Sequence, residues 1–422
     1  MLADRAFADA PWLPSGARIV ERCAALARCS SQPDGLTRVF LSAEHAAANA
    51  LVLAWMREAG MRARVDAIGN VVGRFDGGDE ALPCLMLGSH LDTVRDAGRY
   101  DGMLGIVSAI ECVHALAARG ASLPFAIEVI AFGDEEGVRF DATLIGSRAV
   151  AGTLDMAVLD KRDHDGVSLR DALTRFGGDP GAIASVARRR DDVLAYVELH
   201  IEQGPVLEAE GLAVGVVTAI NGATRMVASV RGTAGHAGTV PMPLRRDALA
   251  AAAECMLAIE TRCAGEPDLV GTVGRIDARP GAVNVIPGDA VFSIDIRAPD
   301  DGRRNAAVAD VERTLAAIGA RRRVDIAIER VHEAPRTACA PWLVEQIGAA
   351  IESEGVVLRA LPSGAGHDGM ALAAIADVGM LFVRCTGGVS HHPAEDILEA
   401  DAGLAARVLL RFIERFRDGR GD

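Results

Sequence analysis

A histidine and two aspartates stand close together in segment 85–105, and their types and spacing suit a metal-centred active site. The segment reads LMLGSHLDTVRDAGRYDGMLG and opens as a short apolar strand, at whose end lie His90 and Asp92. A polar loop follows, and Asp101 then precedes a predicted helix over about 102–119. Ligands of open α/β folds bind where the parallel strands end. The segment therefore predicts an active site at the edge of a sheet.

Other acids and histidines also follow predicted strands or lie in loops. Glu135 and Glu136 come directly after the apolar run 125–133, which is typical of a buried parallel strand. An acidic pair at that edge is costly to bury without a cation. Zinc takes nitrogen and oxygen ligands, and a catalytic zinc site leaves one position open for water. The candidate ligands are His90, Asp101, Glu136, His200 and a histidine of the loop Ser390–Pro393.

Each candidate, taken singly, also has a purely structural explanation. A lone histidine in a globular protein is more often structural than a ligand, and adjacent acids are usually a solvated turn. Asp101, at the start of a helix, fits a plain N-cap as well as a ligand. Asp92 lies two residues after His90 in an extended segment, so its carboxylate can hold the second ring nitrogen of that imidazole. The shared position at strand ends is what favours a metal site.

Length and composition limit the class of protein. A chain of 422 residues is too long for one ordinary core, so two domains are expected. The net charge of −14, without a basic stripe, argues against a nucleic-acid partner. The eight cysteines never form C-x-x-C and predict free thiols in a reducing compartment. Without a signal peptide or a run of ~18 apolar residues, we expect a cytoplasmic protein that does not span a membrane.

The order of predicted elements indicates an α/β fold with an insertion. Helices are predicted over 14–40 and 42–60, a strand pair over 61–75, and a strand over 195–202 with one polar face. From about residue 217 the pattern becomes β-α-β-β-α-β, the order of a ferredoxin-like unit. The α/β rhythm then resumes with a helix over 342–353, a strand near 356–360, a strand over 378–384 and a final helix. The predicted domains are 1–216 and 334–422, forming one discontinuous α/β domain, and an inserted ferredoxin-like α+β domain at 217–333.

Nine short motifs, in order from about residue 15 to 415, together resemble the hydantoinase/carbamoylase family of amidohydrolases. They are GSHLDTV, YDGMLG, DEEGVRF, ELHIEQGP, GHAGTVPM, NVIPGD, SIDIR, SGAGHD and GVSHHPAED. This family includes N-carbamoyl-L-amino-acid hydrolases, allantoate amidohydrolases and β-ureidopropionases, within the clan of dinuclear zinc aminoacylases and carboxypeptidases. The resemblance implies a zinc-peptidase-like catalytic domain, and an inserted domain that acts as a lid and as the contact of a homodimer.

The resemblance also implies two divalent metal ions per subunit, with zinc expected first and manganese, cobalt or nickel as alternatives. Asp101 would bridge the two ions. His90 and His200 would complete one site, and Glu136 and His391 would complete the other. The family pattern Ser-His-x-Pro selects His391 rather than its neighbour, His392.

Catalytic and substrate-binding residues follow from the same resemblance. Glu135 matches the general base, which would take a proton from water and pass it to the departing nitrogen. His236 matches a histidine that stabilises the tetrahedral intermediate, in relatives from the neighbouring subunit. Asn284 and Arg297 match substrate-binding positions, the arginine pairing with a carboxylate. Gln203 is a further substrate contact, and Asp92 completes the catalytic set by orienting His90.

Two features qualify this interpretation. Many relatives have Gln-Arg after the glycine that matches Gly222, whereas Ala223 and Thr224 stand here, which affects the expected substrate. The loop SGAGHDG lacks the lysine and hydroxyl residue of a phosphate-binding P-loop, so we assign His367 and Asp368 supporting roles near the metals.

The leading hypothesis is hydrolysis of an N-carbamoyl-L-amino acid or a ureido acid such as allantoate. An aminoacylase or peptidase of the same clan is the alternative, and a non-catalytic binding protein on this fold is the third possibility. A binding protein has no need of a base beside two metals, so the presence of Glu135 with all five ligands favours an enzyme.

Overall fold

The computed structural model describes residues 13–76, 79 and 81–420. These residues belong to two compact units. The first unit contains the chain up to Thr218, then Cys339–Leu361, and the chain from Ala365 onward; the second contains Ala219–Ala338 and Pro362–Gly364. The second unit overlaps the segment predicted as an inserted domain, and its role as a lid or dimerisation domain stays a prediction.

The first unit is built on a mixed sheet. Its strands are β1 (Arg62–Val65), β2 (Val71–Phe75), β3 (Cys84–His90), β4 (Ala126–Phe132), β5 (Val193–Ile201) and β6 (Val214–Ile220, the strand on which the chain enters the second unit), together with a late strand, Val378–Val383. The order across the sheet is β1-β2-β4-β3-β5, then the late strand, then β6. Strands β3, β4, β5 and the late strand run parallel to their neighbours in that group. Every residue of β3, β4 and β5 is buried, as expected for parallel strands covered on both faces.

Helices cover the sheet of the first unit. They are α1 (Gly16–Ala27), α2 (Ala43–Glu58), α3 (Met103–Ala118), α4 (Ile145–Val150), α5 (Leu169–Phe176) and α6 (Val206–Ala209), followed later in the chain by helices at Pro341–Ser353, Gly369–Leu372 and Glu399–Arg415. Short 3-10 turns at Met156–Asp160, Ile183–Val186, Arg190–Asp192 and Thr386–Gly388 complete this unit. Helix α3 is buried on nearly all sides, which explains its almost wholly apolar sequence.

Helix α3 lies close to strand β5 because a glycine stands at the contact. A Cβ atom on Gly105 would lie 2.2 Å from the backbone oxygen of Leu199, a separation that no side chain can occupy. Leu199 directly precedes His200, and Asp101 directly precedes the first turn of α3. This packing therefore sets the separation of two predicted metal ligands.

Some sequence predictions for the first unit were wrong in detail. The predicted helix over 14–40 ends at Ala27, because the Ser30 hydroxyl accepts hydrogen bonds from the N–H groups of Gln32 and Thr37, and so stabilises a turn instead. The strand predicted near 356–360 is found at Ala360–Ser363.

The strand begins later than predicted because of how the preceding helix, Pro341–Ser353, ends. Gly355 has a φ of 79°, and Val356 donates to the backbone oxygen of Ile351. The chain there is still terminating the helix and has not yet become extended.

The second unit has the predicted β-α-β-β-α-β order. Its main elements are β7 (Gly222–Arg231), α7 (Ala248–Ala264), β9 (Val270–Thr272) with β10 (Ile276–Arg279), β12 (Asp289–Ala298), α8 (Asp301–Arg322) and β13 (Asp325–Ala334); short strands β8 (Gly235–His236), β11 (Val285–Ile286) and β14 (Thr337–Ala338) and a 3-10 turn at Met242–Leu244 complete it. The sheet order is β10-β12-β7-β13, with antiparallel pairing throughout. The two helices pack on this sheet over one apolar core. The second strand of the predicted order is divided in two, β9 and β10, and both pair with β12.

Among the described residues, we find no helix long and apolar enough to cross a membrane.

The contact at Gly105 predicts a stability effect. Gly105→Ala should lower the free energy of unfolding by about 1–3 kcal/mol, because the added methyl group must displace backbone. Urea unfolding followed by circular dichroism measures this. Gly265→Ala is the matched control, since its Cβ would meet nothing nearer than 3.6 Å. Equal unfolding midpoints for the two variants would show that α3 and β5 are not in this close contact.

Candidate metal centre

The predicted metal ligands of the first unit come together at the carboxyl edge of its parallel strands. His90 is the last residue of β3, and His200 is the last but one of β5. Glu136 lies in the turn after β4, and His391 lies in the loop after the late strand, Val378–Val383. Asp101 lies directly before α3, whose N-cap is the following glycine and not the aspartate. The N-cap explanation of Asp101 is therefore wrong, and its carboxylate is available for other partners.

The Asp101 carboxylate lies at the centre of the cluster. Its Oδ1 is 3.4 Å from His90 Nε2 and 3.1 Å from His200 Nε2. Its Oδ2 is 3.1 Å from His391 Nε2, and that nitrogen is 3.7 Å from Glu136 Oε1. The two oxygens of one carboxylate thus face two different sets of donors, which is the arrangement that a bridging ligand requires.

A glycine allows Asp101 to approach the histidines so closely. Gly102 has a φ of 72°, and a Cβ atom there would lie 2.4 Å from the backbone oxygen of His90. A larger residue would separate the start of α3 from the end of β3.

Two of the histidines are oriented by backbone carbonyl groups. His90 Nδ1 lies 3.0 Å from the backbone oxygen of Asp92, and His200 Nδ1 lies 2.9 Å from that of Ile201. A carbonyl only accepts hydrogen bonds, so each Nδ1 is the donor, and the Nε2 atom of the neutral ring is left free to bind a cation. The predicted contact from the Asp92 carboxylate to His90 is different in the structure, since its Oδ1 is 4.0 Å from Nδ1.

The Asp92 carboxylate instead holds the acidic turn after β4. It accepts hydrogen bonds from the backbone N–H groups of Glu135, at 3.0 Å, and Glu136, at 3.2 Å. Asp92 is buried, and the turn starts with Asp134 at a φ of 62°. Asp92 therefore fixes the backbone from which both glutamate side chains extend.

Burial and mutual charge shift the pKa values of this cluster. Burial raises the pKa of Asp101, but the side chains of His200, His391 and His90 around its carboxylate outweigh burial and hold that pKa well below its ordinary value. Burial raises the pKa of Glu135 well above its ordinary value; His90 opposes this shift and Glu136 adds to it. Burial, followed by the charge of Asp101, raises the pKa of Glu136 to about 7.

The pKa values of the three histidines are all raised. Burial lowers the pKa of His90 and of His200, but the nearby Asp101 carboxylate outweighs burial, and both pKa values are raised. The hydrogen bond to Asp101 is the largest cause of the raised pKa of His391.

The donor set fits two divalent ions. His90, Asp101 and His200 form one group of possible ligand atoms within 4.8 Å of each other, and Asp101, Glu136 and His391 form another. The Oε1 atom of Glu136 and the Nε2 atom of His200 are buried, and neither has a partner in hydrogen-bonding geometry among the described residues. Buried polar atoms without partners are costly, and a cation would satisfy both.

Comparisons with known proteins identify the family of this chain. Residues 86–415 match the model of peptidase family M20/M25/M40. The chain belongs to this family. It is 42% identical to a probable allantoate deiminase of Oryza sativa subsp. japonica over 94% of this chain and 87% of the relative. It is 40% identical to an N-carbamoyl-L-amino acid amidohydrolase of Geobacillus stearothermophilus over 96% and 99% of the two chains.

A solved structure gives the same result. The crystal structure of an amidase of the hydantoinase/carbamoylase family from Burkholderia multivorans superimposes with a TM-score of 0.89, at 33% identity, over 95% of this chain and 97% of that one. The resemblance to the hydantoinase/carbamoylase family is therefore confirmed. The predicted enzyme class, a hydrolase that acts on carbon–nitrogen bonds other than peptide bonds, is also confirmed.

Other polar residues of this M20/M25/M40 chain surround the ligands. Glu198, His200 and His367 also lie within metal-binding distance of one another. However, both Glu198 oxygens accept hydrogen bonds from hydroxyl groups, those of Ser89 at 2.7 Å and Tyr196 at 3.0 Å. Glu198 therefore does not offer the free lone pairs that the Asp101 groups offer. Glu198 is not among the candidate site residues predicted from the sequence, although it lies two residues before His200 and therefore on the same face of β5.

The loop that contains His367 and Asp368 lies beside the centre, as predicted. The rings of His367 and His200 are in T-shaped contact, with centroids 4.5 Å apart. Burial lowers the pKa of His367 well below its ordinary value, so its imidazole is neutral. Asp368 is buried as well, and burial raises its pKa well above the ordinary range.

Gln203 directly contacts the bridging carboxylate. Its Nε2 donates to Asp101 Oδ2 and to the Ser390 hydroxyl, both at 3.1 Å. Its backbone has a φ of 56°, an uncommon conformation for a residue other than glycine, which places the amide at the centre. The predicted role of Gln203 as a substrate contact stays a prediction.

The remaining predicted residues lie in the second unit. His236 and Asn284 are neighbours across the short strands β8 and β11, where Ala237 N–H donates to the backbone oxygen of Asn284 at 2.9 Å. Both side chains are exposed. Arg297 is engaged within the unit, because Nε and Nη2 donate to the two oxygens of Asp295, at 3.0 and 2.8 Å.

The raised pKa values of the three histidines predict a pH dependence of metal binding. Protonated imidazoles cannot bind a cation, so apparent affinity for Co²⁺ should rise with pH through the pKa values of His90, His200 and His391, with protons released. Calorimetry in two buffers of different ionisation enthalpy measures this release. His391→Ala should reduce it, whereas His392→Ala, the neighbouring control, should not. An affinity independent of pH between about 6 and 8 would contradict the prediction.

Proposed function

We propose that this chain is a dinuclear-metal amidohydrolase that cleaves the carbon–nitrogen bond of an N-carbamoyl-L-amino acid or of a ureido acid such as allantoate. The products would be the amine, carbon dioxide and ammonia. The observation that carries the proposal is the Asp101 carboxylate between two groups of metal donors, with Glu135 near His90 of one group and Glu136 of the other. The names of the relatives, allantoate deiminase and N-carbamoyl-L-amino acid amidohydrolase, support this substrate class.

The metal sites would be held by five side chains. When bound, divalent ions lower the pKa of water and polarise a substrate carbonyl group. We propose zinc first, because imidazole nitrogens and carboxylate oxygens suit it; manganese, cobalt or nickel can take the same ligands. The ligands are His90 and His200 for one ion, Glu136 and His391 for the other, and Asp101 for both.

Glu135 is the proposed general base. It lies in a group with His90 and Glu136 whose possible ligand atoms are within 4.8 Å of one another, and it is half-buried. Asp92 fixes its backbone N–H, so the carboxylate extends from a rigid turn. A carboxylate whose pKa is raised is a better proton acceptor than an ordinary one. Glu135 would take the proton of the attacking water and return it to the departing nitrogen.

Substrate binding is assigned to residues of the second unit together with Gln203. His236 would stabilise the tetrahedral intermediate, Asn284 would bind substrate, and the Arg297 guanidinium would pair with its carboxylate. The replacement of Gln-Arg by Ala223 and Thr224 removes two polar side chains from a strand, β7, that pairs with the strand of Arg297. This difference would affect which ureido acid is accepted.

We also propose a homodimer formed through the second unit, and a cytoplasmic location. Large apolar side chains are exposed on that unit, among them Met242, Leu244 and Leu257. Sedimentation equilibrium of the full chain would give the oligomeric state. The eight cysteines are all free, which fits a reducing compartment.

Two adjacent substitutions separate the base from a metal ligand. Glu135→Gln should retain both ions and lose roughly 10²–10⁴-fold in kcat, because only proton transfer is removed. Glu136→Gln makes the same chemical change one residue later and should weaken metal binding by roughly 10- to 100-fold. Ammonia release and metal content measure the two effects. Ammonia release by the metal-loaded Glu135→Gln variant at the parent rate would exclude Glu135 as the base.

A substrate panel tests the proposed reaction. Metal-loaded protein should release ammonia from N-carbamoyl amino acids or from allantoate, and should act more slowly on N-formyl and N-acetyl amino acids. Only the carbamoyl and ureido substrates have the terminal NH2 group that leaves as ammonia, and formyl and acetyl substrates lack it. Turnover of acetyl substrates alone would instead identify an aminoacylase of the same clan, and no turnover despite bound metal would favour a binding protein.

A further inference from the structure

We propose that Glu395 is a positioning residue that joins two distant ligand-bearing segments and thereby builds the site formed by Asp101, Glu136 and His391. The inference rests on the proposed metal centre and assigns to Glu395 a role that the family pattern of ligands and base does not include. It concerns which of the two metal sites this residue supports.

Glu395 contacts both segments through its carboxylate. Oε1 accepts hydrogen bonds from the backbone N–H groups of Tyr100, at 2.8 Å, and Asp101, at 3.1 Å. Oε2 accepts a hydrogen bond from the Ser390 hydroxyl at 3.0 Å. Asp101 takes part in these contacts directly, and His391 directly follows Ser390 in the chain. Glu395 stands 294 positions after Asp101. One buried side chain therefore connects two proposed ligands that local structure alone would not bring together.

Glu395 is built into the protein and does not act as a ligand. It is 1% exposed, and both its oxygens are engaged by the three donors just described. It belongs to none of the groups of possible metal ligands found among the described residues. Gly98 makes room for it, since a Cβ atom at that position would lie 2.2 Å from the Glu395 carboxyl carbon.

A closed ring of hydrogen bonds extends this connection. Gln203 Nε2 donates to Ser390 Oγ and to Asp101 Oδ2, while Ser390 and the Asp101 N–H donate to the two oxygens of Glu395. The ring therefore holds the Asp101 backbone, the Asp101 carboxylate and the residue before His391. A ring that fixes both the backbone and the side chain of a ligand restricts its position more than either contact does alone.

The two metal sites should depend on this ring to different degrees. The His391 side chain is 50% exposed, against 1% for His200. His391 lies in a loop and has a φ of 54°, whereas His90 and His200 lie in buried strands and are oriented by neighbouring carbonyl groups. Loss of Glu395 should therefore weaken the Asp101–Glu136–His391 site first.

The test is Co²⁺ binding, measured by equilibrium dialysis with elemental analysis and by the visible absorption of bound cobalt. The parent chain should bind two ions. Glu395→Ala should keep one tight ion and bind the second about 10- to 100-fold more weakly, the usual effect of removing a residue that orients ligands. Glu395→Gln should retain most of the affinity, because its carbonyl oxygen accepts the two N–H groups and its amide can donate to Ser390.

Control variants keep the result interpretable. Glu354→Ala removes another carboxylate that joins distant segments, through Arg407 and Arg411, far along the chain from any proposed ligand. It should leave both cobalt affinities unchanged. If Glu395→Ala fails to fold, Ser390→Ala removes the donor to Oε2 together with the acceptor of Gln203 Nε2, and Gly98→Ala displaces the carboxylate without removing it. Each should weaken the same second site.

The outcomes separate this inference from the proposed function. If the parent chain binds fewer than two ions, the proposed dinuclear centre fails by itself. If the parent binds two ions and Glu395→Ala binds both with parental affinity, only the positioning role is wrong. Equal weakening of both sites, or equal losses in the alanine and glutamine variants, would also overturn it.

Discussion

Buried negative charge is the constraint on which this site depends. Asp92, Asp101, Glu135 and Glu136 lie at one edge of the sheet, and their charges act on one another. Such a group is strongly unfavourable in a low-dielectric interior unless cations or protons compensate it. Three imidazoles compensate Asp101, which keeps its charge, whereas burial and repulsion raise the pKa values of the two glutamates. Divalent ions in place of these protons would leave every carboxylate charged and paired, which is why the cluster fits a metal centre and fits poorly as a structural feature.

The same chain uses buried carboxylates in a second way, as acceptors for pairs of backbone N–H groups. Asp92 accepts from Glu135 and Glu136, and Glu395 accepts from Tyr100 and Asp101. In both cases the peptide groups belong to turns that present proposed ligands or the proposed base. Hydrogen bonds to a charged acceptor are about twice as strong as neutral ones, and a pair of them fixes a turn in one orientation. The proposed metal centre is thus positioned by carboxyl groups that are not among its proposed ligands.

The parts of the site that follow local rules were predictable from the sequence, and the parts that depend on distant contacts were not. Apolar runs before His90 and before Glu135 place those residues at strand ends, because a buried parallel strand needs a continuous apolar sequence. Nothing near residue 395 indicates that its carboxylate reaches Asp101, nearly 300 positions earlier. The helix predicted over 14–40 failed for a related reason. Arg38 is buried and donates to the backbone oxygens of Leu26 and Leu91, so tertiary contacts hold this segment in an irregular path.

Arg297, a proposed substrate-binding residue, shows how the second unit orients a positive charge. Its guanidinium is held along one side by Asp295, and Nη1 donates to the backbone oxygen of Gly364 at 2.8 Å. Asp295 also accepts from Arg225 at 3.2 Å, so two arginines share one carboxylate beside a cavity of about 550 Å³ in that unit. The three charges sum to +1, and a guanidinium has five N–H donors. Asp295 therefore orients Arg297 without neutralising the cluster, and the remaining N–H groups and the net positive charge suit a single carboxylate better than a neutral amide or a cation.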